Sequence, residues 1–270
     1  MTAPTQPRAP HWWQVRARSE VPGARGKFTW VYLWGAPLRS MHWVAALCIV
    51  ALAGTGLYIG DPYFSTGGEA SQHYLMGRMR FLHFAAAAVI VMTGIVRFYW
   101  LFVGNKFERW PALFPITGKN LRHVFAMIRS YLRMTPEQQP HFVGHNPLAQ
   151  WSYTAVYVAM ALMVLTGFAL YGQSNPGGMI YVLFNWVNAA VGGLQNARLL
   201  HHVFMWFFFI FVPVHIYLAV RSDYIERGGI VSSILTGGRF IPSDESFEDY
   251  EATRAVTSEW PAAEHPEMHP

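Results

Sequence analysis

Four long apolar stretches, separated by segments rich in charge, proline and glycine, dominate the pattern of hydrophobic and polar positions along this chain. They cover residues 38–59, 79–103, 148–171 and 198–220. Each stretch is long enough for a helix to cross a hydrocarbon core of about 30 Å. The pattern therefore predicts an all-α protein, an integral membrane four-helix bundle.

The segments outside the spans predict how the chain is divided and oriented. We expect an N-terminal arm of residues 1–37, a four-span domain of residues 38–220 and a C-terminal tail of residues 221–270. Lys and Arg concentrate in residues 1–39 and 104–146, whereas few lie beside the opposite surface. The positive-inside rule therefore places both termini and the central loop in the cytoplasm.

Composition agrees with a membrane protein and excludes several other classes. The chain is 53% hydrophobic and only 13% charged, which is too apolar for an ordinary soluble domain. The net charge of +5 is explained by the Lys and Arg of the segments assigned to the cytoplasm. A nucleic-acid-binding function is not expected, because no soluble basic domain is predicted. Cys48 is the only cysteine, so this chain cannot hold a thiolate-bound iron-sulfur cluster. Any such cluster must belong to a partner.

Histidines inside the apolar spans are the candidate chemistry, because ionisable side chains within a membrane usually serve a function. His201 and His215 are fourteen residues apart, so they share one helix face and lie about 21 Å apart along the axis. The topology puts His83 and His201 near the outer surface, and His42 and His215 near the cytoplasmic surface. Two layers of two histidines predict two sites.

Two imidazoles on opposite sides of a planar macrocycle are the axial ligands of a haem. The layered set therefore favours two haem sites, stacked across the membrane. Two alternatives remain open. Each histidine could instead hydrogen-bond a carbonyl of a neighbouring helix. The set could also bind zinc, although tetrahedral zinc sites usually gather their ligands in one cluster.

Two more side chains are candidates near these sites. His202 is about 100° around the helix from His201, so we expect a helix contact, with an exchange of ligand roles left open. Arg97 lies on the haem-facing side of the second span and is a candidate partner for a haem propionate. The alternative for Arg97 is a side chain that extends to the interface.

The remaining parts of the spans and loops carry less chemistry. The third span has neither histidine nor charge and is interpreted as packing. The other histidines fall in predicted loops or tails and are expected to be solvated: His11, His73, His123, His141, His145, His265 and His269.

Several motifs resemble those of a known family. They are RSMHW in the first span, MRFLHF and TGIVRFYWLFVGN in and after the second, GHNPLAQ before the third, and RLLHHVFMWFFFIFVPVH in the fourth. They are similar to the b-type cytochrome subunit of membrane-bound uptake nickel-iron hydrogenases, over nearly all of residues 37–239. The related cytochrome b subunits of formate dehydrogenases share the same four-helix, two-haem arrangement.

The resemblance implies a function and a set of partners. His83 with His201 would hold the outer haem b, and His42 with His215 the cytoplasmic one. A periplasmic hydrogenase with small and large subunits would pass electrons from its iron-sulfur small subunit through both haems to membrane quinone. The chain would lie in the bacterial inner membrane as a multi-pass anchor, and would not itself activate hydrogen.

Three alternatives to this function remain. Within the same architecture, the partner would be formate dehydrogenase or a similar respiratory enzyme. A stand-alone cytochrome b oxidoreductase would take electrons from a diffusible donor. A structural anchor or assembly factor would use its histidines only to brace helices, and would contain no haem.

Overall fold

The computed structural model describes residues 28–64, 74–114, 142–226 and 228–242, and residues 122, 124, 125, 128 and 129 of the central loop. Most of the predicted N-terminal arm and the tail beyond Pro242 lie outside these residues. The helices are α1 (Ala36–Gly60), α2 (Leu75–Val103), α3 (Trp110–Leu113), α4 (Pro147–Gly172), α5 (Met179–Ala190), α6 (Leu194–Glu226) and α7 (Ile230–Thr236). Two short strands are β1 (Phe28–Tyr32) and β2 (Gly238–Pro242).

Four of these helices, α1, α2, α4 and α6, have the length and apolar composition to cross a membrane. The predicted four-helix membrane architecture is therefore confirmed. Helix α4 begins as its sequence predicts, because the Asn146 side chain accepts a hydrogen bond from Ala149 N at 2.8 Å and Pro147 follows at the first helical position. Helix α6 is longer than the predicted span and begins just after Gly192 and Gly193, whose positive φ angles separate it from α5.

The spanning helices pack as two pairs. Helix α1 runs along α2, and α4 packs against α6, whereas contacts between the two pairs are sparse. Only 11% to 22% of each spanning window is buried within the chain. Most side chains of the spans are therefore left to contact lipid, or a group held between the pairs.

A two-stranded antiparallel sheet, which the sequence did not predict, joins the two ends of the described chain. Strand β1 pairs with β2 so that Trp30 lies opposite Phe240. Val31 and Ile241 pack with Leu33 and Val143 in a small buried core. Parts of the predicted arm and tail thus come together at one end of the bundle, here named the sheet end. The opposite end, where α1 stops at Gly60, is named the far end.

The buried carboxylate of Glu108 fastens the loop after α2 to the start of α1. It accepts hydrogen bonds from the backbone N–H of Gly35 and, at 2.8 Å, from the Trp100 indole. The backbone N–H of Asn105 donates a third at 3.2 Å. Glu108 is only 1% exposed, so these bonds replace the water that the charge would otherwise require.

Candidate functional site

The four span histidines form two pairs, one at each end of the bundle. At the sheet end, the ring centroids of His42 on α1 and His215 on α6 lie 6.4 Å apart, with planes inclined by 49°. At the far end, His83 on α2 faces the His201 turn of α6: a Cβ placed at Gly56 would lie 3.4 Å from His83 Cε1 and 3.8 Å from Sδ of Met205, one turn after His201. Helix α6 thus contributes one histidine to each pair, and each pair bridges the gap between the two helix pairs.

A threonine hydroxyl contacts each ring at the far end. Thr55 Oγ1 lies 2.9 Å from His83 Nδ1, and Thr166 Oγ1 lies 3.0 Å from His201 Nδ1. Thr166 belongs to α4, so the interpretation of the third span as packing alone was wrong.

These contacts determine which ring nitrogen carries the proton. A threonine hydroxyl has one proton, and each of these donates it to its own helix: Thr55 to Ala51 O at 2.6 Å and Thr166 to Leu162 O at 2.7 Å. The oxygen can then only accept from Nδ1–H of the neighbouring ring. Nε2 is left with its lone pair, which is the form of imidazole that binds a metal.

Glycines follow both threonines in the chain and lie beside the two rings. A Cβ atom at Gly56 would lie 3.4 Å from His83 Cε1, and one at Gly167 would lie 3.4 Å from His201 Cε1. The same Thr-Gly dipeptide in two spans was a signal that the sequence interpretation missed. The signal is not specific, because Thr93 precedes Gly94 on α2 but hydrogen-bonds Val89 O of its own helix.

His202 has different surroundings from His201. Its side chain is exposed, and its Nε2 atom would lie 3.1 Å from a Cβ placed at Gly60, the last residue of α1. The expected helix contact is therefore present. His201, in contrast, has the oriented ring and the histidine neighbour.

Arg97 does not extend to the interface but is buried, with 8% of its surface exposed. Its Nε donates to Tyr157 Oη at 2.9 Å and its Nη2 donates to the Glu108 carbonyl at 3.1 Å. Its Nη1 is shielded and finds no hydrogen-bond partner among the described residues. One face of the guanidinium is thus left for a group that this part of the chain does not supply.

His145, expected to be solvated, instead packs into the sheet end. Its ring centroid lies 4.6 Å from that of Trp34 and 4.8 Å from that of Tyr153. Burial lowers the pKa of His145 to about 3, and the positive charge of Arg97 contributes to the shift. The imidazole is therefore neutral at physiological pH.

The model of one protein family, described as prokaryotic cytochrome b561, matches residues 33–237 of this chain. The chain belongs to the prokaryotic cytochrome b561 family. Membership in this prokaryotic family, together with the four spanning helices, makes the cytochrome a multi-pass protein of the bacterial inner membrane. The resident group of a b-type cytochrome is haem b.

Curated relatives are similar to this cytochrome over most of their length. A probable Ni/Fe-hydrogenase B-type cytochrome subunit of Azotobacter vinelandii is 41% identical, over 81% of this chain and 92% of its own. One of Bradyrhizobium diazoefficiens is 39% identical, over 88% and 96%. A probable Ni/Fe-hydrogenase 1 B-type cytochrome subunit of Escherichia coli K12 is 33% identical, over 77% and 90%.

The residues of this cytochrome fit haem in both spacing and chemistry. Metal–imidazole bonds of about 2 Å on two sides of a metal separate the ring centroids by roughly 6 Å. The rings of His42 and His215 are 6.4 Å apart. Within the described ranges, no three His, Cys, Asp or Glu side chains converge as a tetrahedral zinc site would require. Pairs of imidazoles are instead the donor set of a six-coordinate haem.

Replacing Thr166 with valine tests the orientation of the far-end ring. The change keeps the side-chain shape but removes the oxygen 3.0 Å from His201 Nδ1. We expect haem affinity at this end to fall roughly tenfold to hundredfold, the usual effect of losing a group that orients a metal ligand. The midpoint potential of any haem that His201 still holds should rise, because the histidine becomes less basic. Haem release and redox titration measure both effects.

Thr93→Val is the matched control, because Thr93 bonds only its own helix among the described residues. It should leave haem affinity and potential unchanged. Equal effects of the two substitutions would mean that Thr166 acts through helix stability and not through His201.

Proposed function

We propose that this cytochrome is the membrane anchor and dihaem subunit of a periplasmic nickel-iron hydrogenase, and that it passes electrons to membrane quinone. The single observation that carries the proposal is a pair of neighbouring histidines at each end of one bundle, with one member of each pair on α6. The names of the relatives, each described as a Ni/Fe-hydrogenase cytochrome subunit, support the choice of partner.

The histidines supply the axial ligands of this proposal. His83 and His201 hold haem at the far end, and His42 and His215 hold haem at the sheet end. Bound haem supplies one-electron chemistry at each site. Thr55 and Thr166 keep the Nε2 lone pairs of the far-end rings available. Arg97 pairs with a propionate at the sheet end.

The orientation of the bundle gives the transfer a direction. The basic segments 1–39 and 104–146 connect in sequence to the helix termini at the sheet end, so this end faces the cytoplasm by the positive-inside rule. The far end then faces the periplasm, where the iron-sulfur small subunit donates electrons and the large subunit oxidises hydrogen. Quinone is reduced near the sheet end. This chain itself activates no hydrogen.

Purification of the tagged chain in mild detergent tests the proposal. We expect two haems b per chain and the hydrogenase small and large subunits in the same fraction. Addition of hydrogen should convert the haem absorption spectrum from the oxidised to the reduced form. Formate serves as the control donor and should reduce nothing.

Other outcomes favour the alternatives. Reduction by formate with a molybdenum enzyme in the fraction would favour a formate dehydrogenase subunit. Haem without any partner would favour a stand-alone oxidoreductase. A chain without haem would be a structural anchor, and the proposal would fail.

A further inference from the structure

At the sheet end, Arg97 carries a buried positive charge that bonds no anionic group among the described residues. Arg97 donates to two neutral oxygens, of Tyr157 and of the Glu108 backbone. Its Nη1 is shielded and unbonded within the described part of the chain. An unpaired charge in a membrane span is costly, and guanidinium groups in such places usually pair with an acid.

The nearby acid is already used. Both carboxylate oxygens of Glu108 accept hydrogen bonds, one from Gly35 N–H and the other from Trp100 and Asn105. Only the carbonyl oxygen of Glu108 accepts from Arg97 within hydrogen-bond distance. The face of Arg97 that carries Nη1 therefore suits an anion from outside the described chain.

His145 supplies a second unused donor in the same region. Its Nδ1 is shielded from solvent and lacks a hydrogen-bond partner among the described residues. Its ring packs 4.8 Å from that of Tyr153, one turn of α4 before the Tyr157 hydroxyl that Arg97 bonds, so the two groups occupy the same region. A neutral imidazole beside a guanidinium cannot compensate its charge, but it can donate one N–H to the same acceptor.

The position of this cluster points to the anion. The Tyr153 ring centroid lies 4.8 Å from that of His145 and 6.4 Å from that of His215. Arg97 bonds Tyr157, which follows Tyr153 by one turn of α4. His145 thus lies one aromatic ring away from His215, and Arg97 is bonded to α4 one helical turn further along. A haem has carboxylates on its edge, whereas a quinone carbonyl is neutral and would leave the Arg97 charge unpaired.

We infer that Arg97 Nη1 and His145 Nδ1 together bind one carboxylate, a propionate of the haem held by His42 and His215. The inference rests on the proposed function and adds His145, the histidine of the GHNPLAQ motif that was expected to be solvated, as a ligand-binding residue. A guanidinium and an imidazole on one carboxylate fix the rotation of the macrocycle about its axial bonds. They also place a positive charge at its edge.

Release of haem from the purified complex to excess apomyoglobin tests this inference. The variants are Arg97→Gln, His145→Phe and the double substitution, each in a His201→Ala background that retains only the sheet-end haem. Phenylalanine preserves the ring packing between Trp34 and Tyr153. We expect each single change to accelerate release roughly tenfold to hundredfold, the effect of losing a hydrogen bond to a charged group.

Two further results are expected if both donors share one carboxylate. The double variant should release haem faster than either single variant, but by less than the product of their effects. Arg97→Gln should also lower the midpoint potential of the haem, because an uncompensated propionate stabilises the ferric state. Arg97→Lys keeps the charge and should preserve the midpoint potential of the haem. A change confined to Arg97→Gln would therefore reflect the lost charge and not misfolding.

Arg109→Gln is the matched control. It removes the same charge from an exposed side chain at the same end, so release and potential should not change. Unchanged haem release in Arg97→Gln and His145→Phe, with a raised KM for quinone, would assign the cluster to quinone and overturn the inference. Absence of haem from the unmodified chain would overturn the proposed function as well, so the two failures are distinguishable.

Discussion

Replacing His215 with alanine should remove the sheet-end haem and stop hydrogen-dependent quinone reduction, while hydrogen oxidation with an artificial acceptor continues. His215 is the α6 member of the sheet-end pair, 6.4 Å from His42, and stacks on Phe211 at 5.4 Å. Without its imidazole, the sheet-end site would offer haem iron only His42 and would lose its ligand from α6. The haem content per chain should fall by half, as measured by pyridine haemochromogen absorbance.

The partner of His215 provides an internal comparison. His42→Ala should give the same loss, since either histidine completes the same site. Phe211→Leu keeps an apolar side chain beside His215 and should retain the haem. Persistent quinone reduction in His215→Ala would show that the electron route does not pass the sheet end, even if the haem is lost.

Replacing His201 with alanine should remove the far-end haem, whereas replacing His202 should retain it. The two residues are adjacent, so sequence alone left the ligand open. Their contacts distinguish the two residues. His201 Nδ1 lies 3.0 Å from Thr166 Oγ1 and His201 has His83 as a neighbour. The side chain of His202 is exposed and lies beside Gly60. Haem stoichiometry and the low-spin bis-imidazole signal in electron paramagnetic resonance measure the difference.

Reduction kinetics separate this defect from the one at the sheet end. In His201→Ala, hydrogen should no longer reduce the sheet-end haem rapidly, because the entry point for electrons is gone. In His202→Ala, reduction should proceed as in the unmodified complex. The opposite result, with haem lost only from His202→Ala, would reassign the outer ligand.

Helix α6 also carries an aromatic row between its two histidines. Phe207 stacks with Phe211 at 6.0 Å, and Phe211 stacks with His215 at 5.4 Å. The rings are spaced by four residues, so they follow one face of the helix. This row fills the space next to the sheet-end pair with apolar bulk, which keeps water away from the proposed haem.

Much of this protein could be predicted from local sequence patterns. The four spans follow from four apolar runs, because a helix formed by each run is long enough to cross the hydrocarbon core. The fourteen-residue interval between His201 and His215 determines that both lie on one face of α6, because helix geometry is local. Asn146 with Pro147 predicts the start of α4, as observed, whereas the orientation indicated by Lys and Arg stays a prediction.

The tertiary structure decided the contacts between residues that are far apart in the chain. Thr166 orients His201, and His145 is enclosed by Trp34 and Tyr153. Strand β1, which precedes the first span in sequence, pairs with β2, which follows the last. No periodicity encodes these contacts, because each depends on how separate helices and loops pack. The third span, which is apolar and uncharged, was therefore interpreted as packing, and His145 in the loop before it was expected to be solvated. Their surroundings, set by distant segments, make Thr166 and His145 part of the proposed sites.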